Sequence, residues 1–346
     1  MKKLAGVVSL AVVSTVGVAA VRQQGAPPPP WAYGFAAPAD PNAPPPGAAR
    51  GGGGGGGAGR GGGQPPAPDT TKRTVPGSTA SFTLAQVRDA NGPADWFPGD
   101  HPTMPPIVAN GRRDAMIIAC SLCHYPNGKG RPENAGVSGL PYEYFVKTMM
   151  DFKNDARKSA DPRKQNTQRM IQFAKAMTDD EIKATATYFS SMKWTPWVKV
   201  VEADNVPKTR IAGGMFIAVE GEAAGTEPIG QRIIEVPENT EQTETLRNPR
   251  SGFIAYVPTG AIKKGETVAT RGQCALCHGA NLEGLGPVPG IAGRSPSYTV
   301  RQLYDMKSGA RTGSWSELMK RVVAPMTPDD MLNVAAYVAS KAPSTQ

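Results

Sequence analysis

Residues 120–130 read CSLCHYPNGKG, and residues 274–284 read CALCHGANLEG. In each stretch two residues separate a pair of cysteines, and a histidine follows the second. The chain has four cysteines and three histidines, so these stretches use every cysteine and all but one histidine. Outward from them, chemically similar residues recur at a constant spacing. Gly111 and Gly265, Cys120 and Cys274, Tyr144 and Tyr298, Asp151 and Asp305, and Lys153 and Lys307 all stand 154 positions apart. Beyond them the spacing is 149, pairing Met170 with Met319, Met177 with Met326 and Tyr188 with Tyr337. An internal repeat with one five-residue deletion in the second copy accounts for both registers.

Each copy reads as mainly α-helical. A short helix is expected to end at each cysteine pair (RRDAMIIAC and ETVATRGQC), followed by a Gly/Pro-rich loop. A helix is then expected near Tyr144 and near Tyr298. The last helix of each copy carries explicit start signals. Thr178 is an N-cap with Glu181 closing a capping box, and Thr327 is an N-cap with Pro328 in the first helical turn, where its missing donor costs little. Ile182, Thr185 or Ala186, and Phe189 share one helical face, as do Leu332, Ala335, Ala336 and Ala339.

The remaining segments differ in character. Residues 1–21 carry Lys2 and Lys3 ahead of an apolar run, the pattern of an export signal; the run also approaches the length of a spanning helix, so an N-terminal membrane anchor is the alternative. Residues 22–74 are dominated by Gly, Pro, Ala and Gln, including Gly51 to Gly57. Such a composition predicts a disordered tether whose roughly fifty residues would span about 40 Å on average. Arg50 and Arg60 resemble an RNA-binding tail, a reading that export removes, and no nucleic-acid partner is expected. Residues 75–195 form the first repeat domain, 196–262 an insert with short strands, and 263–346 the second domain. In the insert, GGMFIAVEGEAAG, RIIEVPEN and SGFIAYVP are β-branched and aromatic runs broken by Gly and Pro. It is expected to be a connector that sets the angle between the copies. The formal net charge is +9, which suggests either solubility or docking onto an acidic redox partner.

Three chemistries use paired cysteines with a neighbouring histidine. A disulfide leaves the histidine unexplained. Structural zinc needs four ligands, and each copy supplies three. Covalent haem uses all three residues: two thiols form thioethers with the vinyl groups, and the histidine ligates the iron. Two haem c groups are therefore expected, one on Cys120, Cys123 and His124, the other on Cys274, Cys277 and His278. The repeat offers two methionine pairs for the opposite face of the iron. Met177 and Met326 precede helix N-caps, with Ile182 and Met331 four residues beyond the caps, the spacing of a hydrophobic staple. That spacing explains them without iron. Met170 and Met319 have no such explanation and are the favoured ligands, with Met177 and Met326 as alternates.

These residues resemble the dihaem cytochromes c of the c4 type, two class I cytochrome c domains in tandem. The resemblance covers roughly residues 108–195 and 263–346. In that family a methionine ligand stands seven residues before the apolar residue that opens a Leu-Ser-x-x-Asp-like helix start. Met170 precedes MTDDEI and Met319 precedes MTPDDM by that spacing, with methionine in place of the family's leucine. The resemblance further implies that Gly111 and Gly265 are the small residues where the first helix crosses the last, with Tyr188 and Tyr337 as aromatic partners. It also implies that a proline carbonyl, from Pro132 or Pro287, accepts a hydrogen bond from each proximal imidazole. The Gly/Pro tether and the insert depart from the family pattern.

The function expected from this reading is electron carriage between redox proteins in the periplasm, including service as the cytochrome subunit of a dehydrogenase. Donor and acceptor would be redox proteins such as a periplasmic dehydrogenase or a membrane oxidase. The alternative is a dihaem peroxidase-like enzyme with one open iron position. His101, the histidine outside the two motifs, is expected at the surface; as an iron ligand it would displace Met170.

Overall fold

The computed structural model describes residues 27–36 and 69–343; the export segment and residues 37–68 lie outside the described residues. The first repeat contains α1 (Leu84–Val87), α2 (Pro106–Ala109), α3 (Cys120–His124), α4 (Tyr142–Lys153), α5 (Gln165–Ala176) and α6 (Asp179–Ser190). The insert carries β1 (Val198–Glu202), β2 (Asn205–Pro207), β3 (Thr209–Ala212), β4 (Met215–Ala218), β5 (Thr226–Pro228), β6 (Ile234–Pro237) and β7 (Phe253–Val257). The second repeat follows with α7 (Ala261–Arg271), α8 (Cys274–His278), a small hairpin of β8 (Gly284–Leu285) and β9 (Val288–Pro289), then α9 (Pro296–Lys307), α10 (Ser314–Val323) and α11 (Pro328–Ser340). The starts of α4 and α9 keep the first register of the repeat, and those of α5 and α10, and of α6 and α11, keep the second. Among the described residues no helix is long and apolar enough to cross a membrane.

The last helix of each copy begins where its polar residues dictate. Thr178 accepts from the Glu181 amide at 3.2 Å while its own amide donates to the Glu181 carboxylate at 2.8 Å. Thr327 and Asp330 make the same box at 3.1 and 2.9 Å, with Pro328 in the first turn. Satisfying these orphan donors stabilises a helix start by about 1 kcal/mol. Ile182, Ala186 and Phe189 are buried in the first core, and Leu332, Ala335 and Ala336 in the second. Met177 packs in the same core as Ile182, and Met326 in the same core as Met331, as the staple spacing predicts.

The copies diverge before their cysteines. In the second, α7 runs unbroken, and Gly265 lets it cross α11 closely: a Cβ there would overlap the Asn333 carbonyl and lie 2.7 Å from Tyr337 Cβ. In the first, the helix expected over residues 112–120 is absent. Pro105 and Pro106 open a single turn, α2, that Asn110 and Gly111 close. Gly111 has a φ of 65°, a left-handed conformation that favours glycine. Arg112 and Ile117 then exchange both backbone hydrogen bonds, at 2.7 and 3.0 Å. Gly111 is thus a turn residue and not the counterpart of the Gly265 crossing.

The insert forms strands where β-branched residues concentrate. β7 is central, parallel to β1 and antiparallel to β6; β2 pairs with β5, and β3 with β4. It is bonded to both repeats. Trp197 Nε1 donates to the Gly130 carbonyl at 2.9 Å, and Trp96 Nε1 to the Leu246 carbonyl at 2.8 Å. On the other side, the buried Glu235 carboxylate accepts from the Ser297 amide at 2.6 Å and the Ser295 hydroxyl at 2.9 Å.

Part of the tract expected to be disordered is ordered and buried. Residues Pro30–Tyr33 make a 3-10 turn, and Ala32 and Tyr33 are fully buried. The Tyr33 hydroxyl donates to Asp305 at 2.9 Å, Arg301 donates to the Ala32 carbonyl at 2.6 Å, and Lys164 donates to the Tyr33 carbonyl at 3.2 Å. The Arg163 guanidinium lies 4.3 Å from the Phe35 ring centroid. Gly34, at φ 79°, passes so close to the Gly214 carbonyl that a Cβ would overlap it. The segment PWAYGF therefore clasps both repeats and the insert together. Composition averaged over the Gly/Pro tract hides these three aromatic residues, which supply enough apolar area to order the segment. Residues 69–74 are also ordered, with Arg73 bridged to Phe82.

Candidate functional site

α3 and α8 each present two thiols and an imidazole within one helical turn and a half. No disulfide joins any two of the four cysteines. Each imidazole is fixed by its Nδ1, which lies 2.8 Å from the Ala135 carbonyl in His124 and 2.8 Å from the Pro289 carbonyl in His278. The Nδ1–H must donate to these carbonyls, which leaves Nε2 unprotonated and able to bind a metal. Ala135 and Pro289 are themselves equivalent positions of the repeat. Pro132 and Pro287, expected as acceptors, do not take this role. The Pro132 carbonyl instead accepts from Arg301 at 2.6 Å, and Pro287 lies on the cavity wall. The acceptor is chosen by where the loop returns toward the imidazole; any residue's carbonyl serves, so residue type was a poor guide.

Both imidazoles open onto one continuous cavity of about 560 Å³ that crosses the boundary between the repeats. All four cysteines line it, together with Met170, Met177, Met319 and Met326. Its remaining wall is largely apolar, with Phe145, Phe173 and Val322 among the lining side chains. Burial pushes the Cys120 thiol up to about 12 and raises Cys123 and Cys274 as well. Burial also lowers both motif histidines, so their imidazoles are neutral near pH 7. Neutral imidazole is the form that ligates metal.

The cavity's polar groups gather at the domain boundary. Arg157 donates to the Tyr298 hydroxyl at 2.9 Å, and Arg311 to the Tyr144 hydroxyl at 3.0 Å. Both guanidiniums also donate to Gln302 Oε1, at 2.9 and 2.8 Å. Arg294 reaches into the first repeat, donating to the Gly136 and Ser138 carbonyls at 2.9 and 3.0 Å. Burial drops its pKa to about 10. Burial alone would raise Tyr144, but Arg311 and Arg157 outweigh it and hold that phenol at about 8. This cluster was not anticipated from the sequence. Its trace there was that Tyr144 and Tyr298, and likewise Arg157 and Arg311, repeat 154 positions apart.

The His101 side chain does not lie at the surface, although the residue as a whole is half-buried. Its side chain is 4% exposed, Nε2 lies 3.1 Å from Asp95, and Nδ1 lies 2.9 Å from the Pro102 carbonyl. Its ring packs edge-on against Tyr188, with centroids 6.2 Å apart, and it is not among the residues lining the cavity. The pair with Asp95, six residues earlier, buries it.

The donor set fits covalent haem. The thiols are unbridged, the imidazoles are held by one nitrogen, and the adjoining cavity is apolar. Among the described residues no cluster of three or more His, Cys, Asp or Glu side chains is arranged to hold a bare metal ion.

The cytochrome c family model matches residues 108–193 and 262–342. The chain is 36% identical over 92 residues to a cytochrome c4 of Thiocapsa roseopersicina, covering 26% of this chain and 45% of that one. It is 31% identical over 71 residues to cytochrome c-554(548) of Halomonas halodenitrificans, covering 20% of this chain and 86% of that one. It is 24% identical over 238 residues to a thiosulfate dehydrogenase electron acceptor of Stutzerimonas stutzeri, covering 68% of this chain and 84% of that one. Two haem c groups are bound covalently, and the cysteine pairs 120/123 and 274/277 match their attachment motifs. The chain belongs to the cytochrome c family, as a dihaem protein of the c4 type with two such domains in tandem.

Proposed function

We propose that the protein carries single electrons between redox proteins in the periplasm, with each iron held by an imidazole and a thioether. The ligand pairs are His124 with Met170 and His278 with Met319. The observation that carries this reading is the single cavity walled by both histidines and both methionine pairs. Met177 and Met326 are anchored as core residues: both are buried, and their carbonyls accept from Lys153 and Lys307 respectively. Met170 and Met319 are only partly buried and carry no such restraint.

A haem held by His and Met supplies a reversible one-electron couple. The chain's contribution is to hold the donors still. Ala135 and Pro289 fix the imidazole tautomer and orientation. The apolar wall keeps water and small reactants away and favours the less charged, reduced state. Arg157 and Arg311 place two positive charges at the boundary, where haem propionates would find charge-assisted partners. Both domains sharing one cavity favours relay of an electron within the chain.

A relative named as the electron acceptor of thiosulfate dehydrogenase supports a dehydrogenase as donor. The peroxidase-like alternative needs a displaceable ligand, and His101 has both ring nitrogens engaged. Redox titration with visible spectroscopy tests the reading. Two low-spin, reversible haems are expected; a resting high-spin ferric signal or peroxide turnover would contradict it.

A further inference from the structure

The two attachment motifs are alike in sequence and unlike in exposure. In the first domain Ser121 is buried and donates to the Val108 carbonyl at 2.9 Å. The Leu122 carbonyl accepts from the guanidinium of Arg247, an insert residue held at a φ of 52°. That guanidinium lies 5.5 Å from the Tyr125 ring centroid, and Trp197 packs edge-on against the same ring at 6.3 Å. The insert thus roofs the first motif. The second motif has no such roof. Cys277 is exposed, Leu276 is 71% exposed and Leu285, on the adjacent hairpin, is 60% exposed. Leu318, 73% exposed, shares the cavity wall with Cys277 and Pro287. Among the described residues no side chain hydrogen-bonds to the carbonyls of residues 275–277.

We propose that the insert reserves the first haem for internal relay and leaves the apolar face around Cys277 as the surface where a protein partner exchanges electrons. This rests on the carrier reading above. The partner is a redox protein whose own docking face is apolar and uncharged. The face itself sets that chemistry. Residues 272–282 include no Asp, Glu, Lys or Arg, and neither do residues 284–293. The charges at its rim are already paired: Arg271 with Asp330 at 2.7 Å, and Lys320 with Glu317 at 3.5 Å. Glu283 and Arg321 are both exposed and carry opposite charges. The net positive charge of the whole chain therefore does not gather here, and attraction to an acidic partner is not what this face provides. Small apolar contact suits a transient redox encounter, which is brief by design of its area.

A second copy of the holoprotein presents the same uncharged face and serves as the probe. Electron self-exchange, read from NMR line broadening in mixtures of reduced and oxidised protein, is compared between wild type and Leu276→Glu/Leu285→Glu. Both leucines are exposed, so the fold tolerates the change. The expected result is a fall of at least about tenfold in self-exchange, because like charges then face each other. Wild-type exchange should change by less than about twofold between low and high salt, as an uncharged contact requires. Reaction with small mediators should be unaltered in both proteins. Exchange at the wild-type rate in the variant, wild-type exchange too slow to broaden the signals, or a steep salt dependence would each overturn the proposal. Loss of reversible reaction with small mediators in the wild type would instead overturn the carrier reading itself.

Discussion

Arg157 and Arg311 occupy equivalent positions in the two repeats and meet as a backbone bridge across the domain boundary. The bridge is flanked by hydrogen bonds from the Lys158 amide to the Ala310 carbonyl and from the Thr312 amide to the Ala156 carbonyl, each 2.7 Å. Each arginine then reaches the tyrosine of the opposite repeat. The two domains are thus joined by a near-symmetric, buried polar contact placed between the two haem sites.

Arg311→Gln should therefore act on Tyr144. With one guanidinium gone, burial is less opposed and the phenol pKa should rise from about 8 toward or beyond its ordinary value. Tyrosine carbon NMR titration reads this directly. The variant should also lose about 1–3 kcal/mol of stability, because buried groups are left unpaired. An unchanged Tyr144 titration would show that the arginine does not govern it.

The N-terminal clasp should be a stability element. Tyr33→Ala removes a fully buried ring and the partner of Asp305. A loss of about 3–5 kcal/mol is expected by denaturant titration. Tyr33→Phe keeps the ring and should cost about 1 kcal/mol. Equal stability in all three proteins would mean the clasp is not docked in solution.

Lys164 gives the clasp a pH dependence. Burial, aided by Arg301, lowers its pKa to about 7, whereas an unfolded chain has the ordinary lysine value. Between those values the unfolded state binds the extra proton, so stability rises with pH. The contribution is complete above the unfolded pKa and is lost as pH falls through about 7. Lys164→Met should flatten this part of the stability profile, as followed by urea unfolding from neutral to alkaline pH. A slope that survives the substitution would assign it to another group.

Gly265→Ala should destabilise the second domain. The new Cβ would meet the Asn333 carbonyl and Tyr337 Cβ, and backbone cannot yield cheaply. A loss of about 1–3 kcal/mol or more is expected. Gly260→Ala, three residues before Lys263 and facing open space, should cost only the strain of its φ of 83°. Comparable melting temperatures for the two variants would refute the close crossing of α7 and α11.

Features that depend on local spacing were legible in the sequence. The two repeat registers place α4 with α9 and α6 with α11, and the polar residues of TDDE and TPDD mark where helices start. Features that depend on distant partners were not. His101 is buried because Asp95 meets it, and Ala32 and Tyr33 are buried because Arg301, Asp305 and Lys164 converge on them. Which carbonyl accepts from His124 or His278 depends on the path of a loop, and the expectation of a proline missed Ala135 entirely. Arg247 over Leu122 joins residues too far apart in sequence for any motif to link them.

The most direct test of the central claim is the ferric absorption and magnetic resonance spectrum of Met170→Ala and of Met319→Ala. Each variant is predicted to lose half of the sulfur-to-iron charge-transfer band and to turn one haem high-spin, while the other haem is untouched. Retention of the full band in both variants, with its loss in Met177→Ala or Met326→Ala, would contradict the assignment.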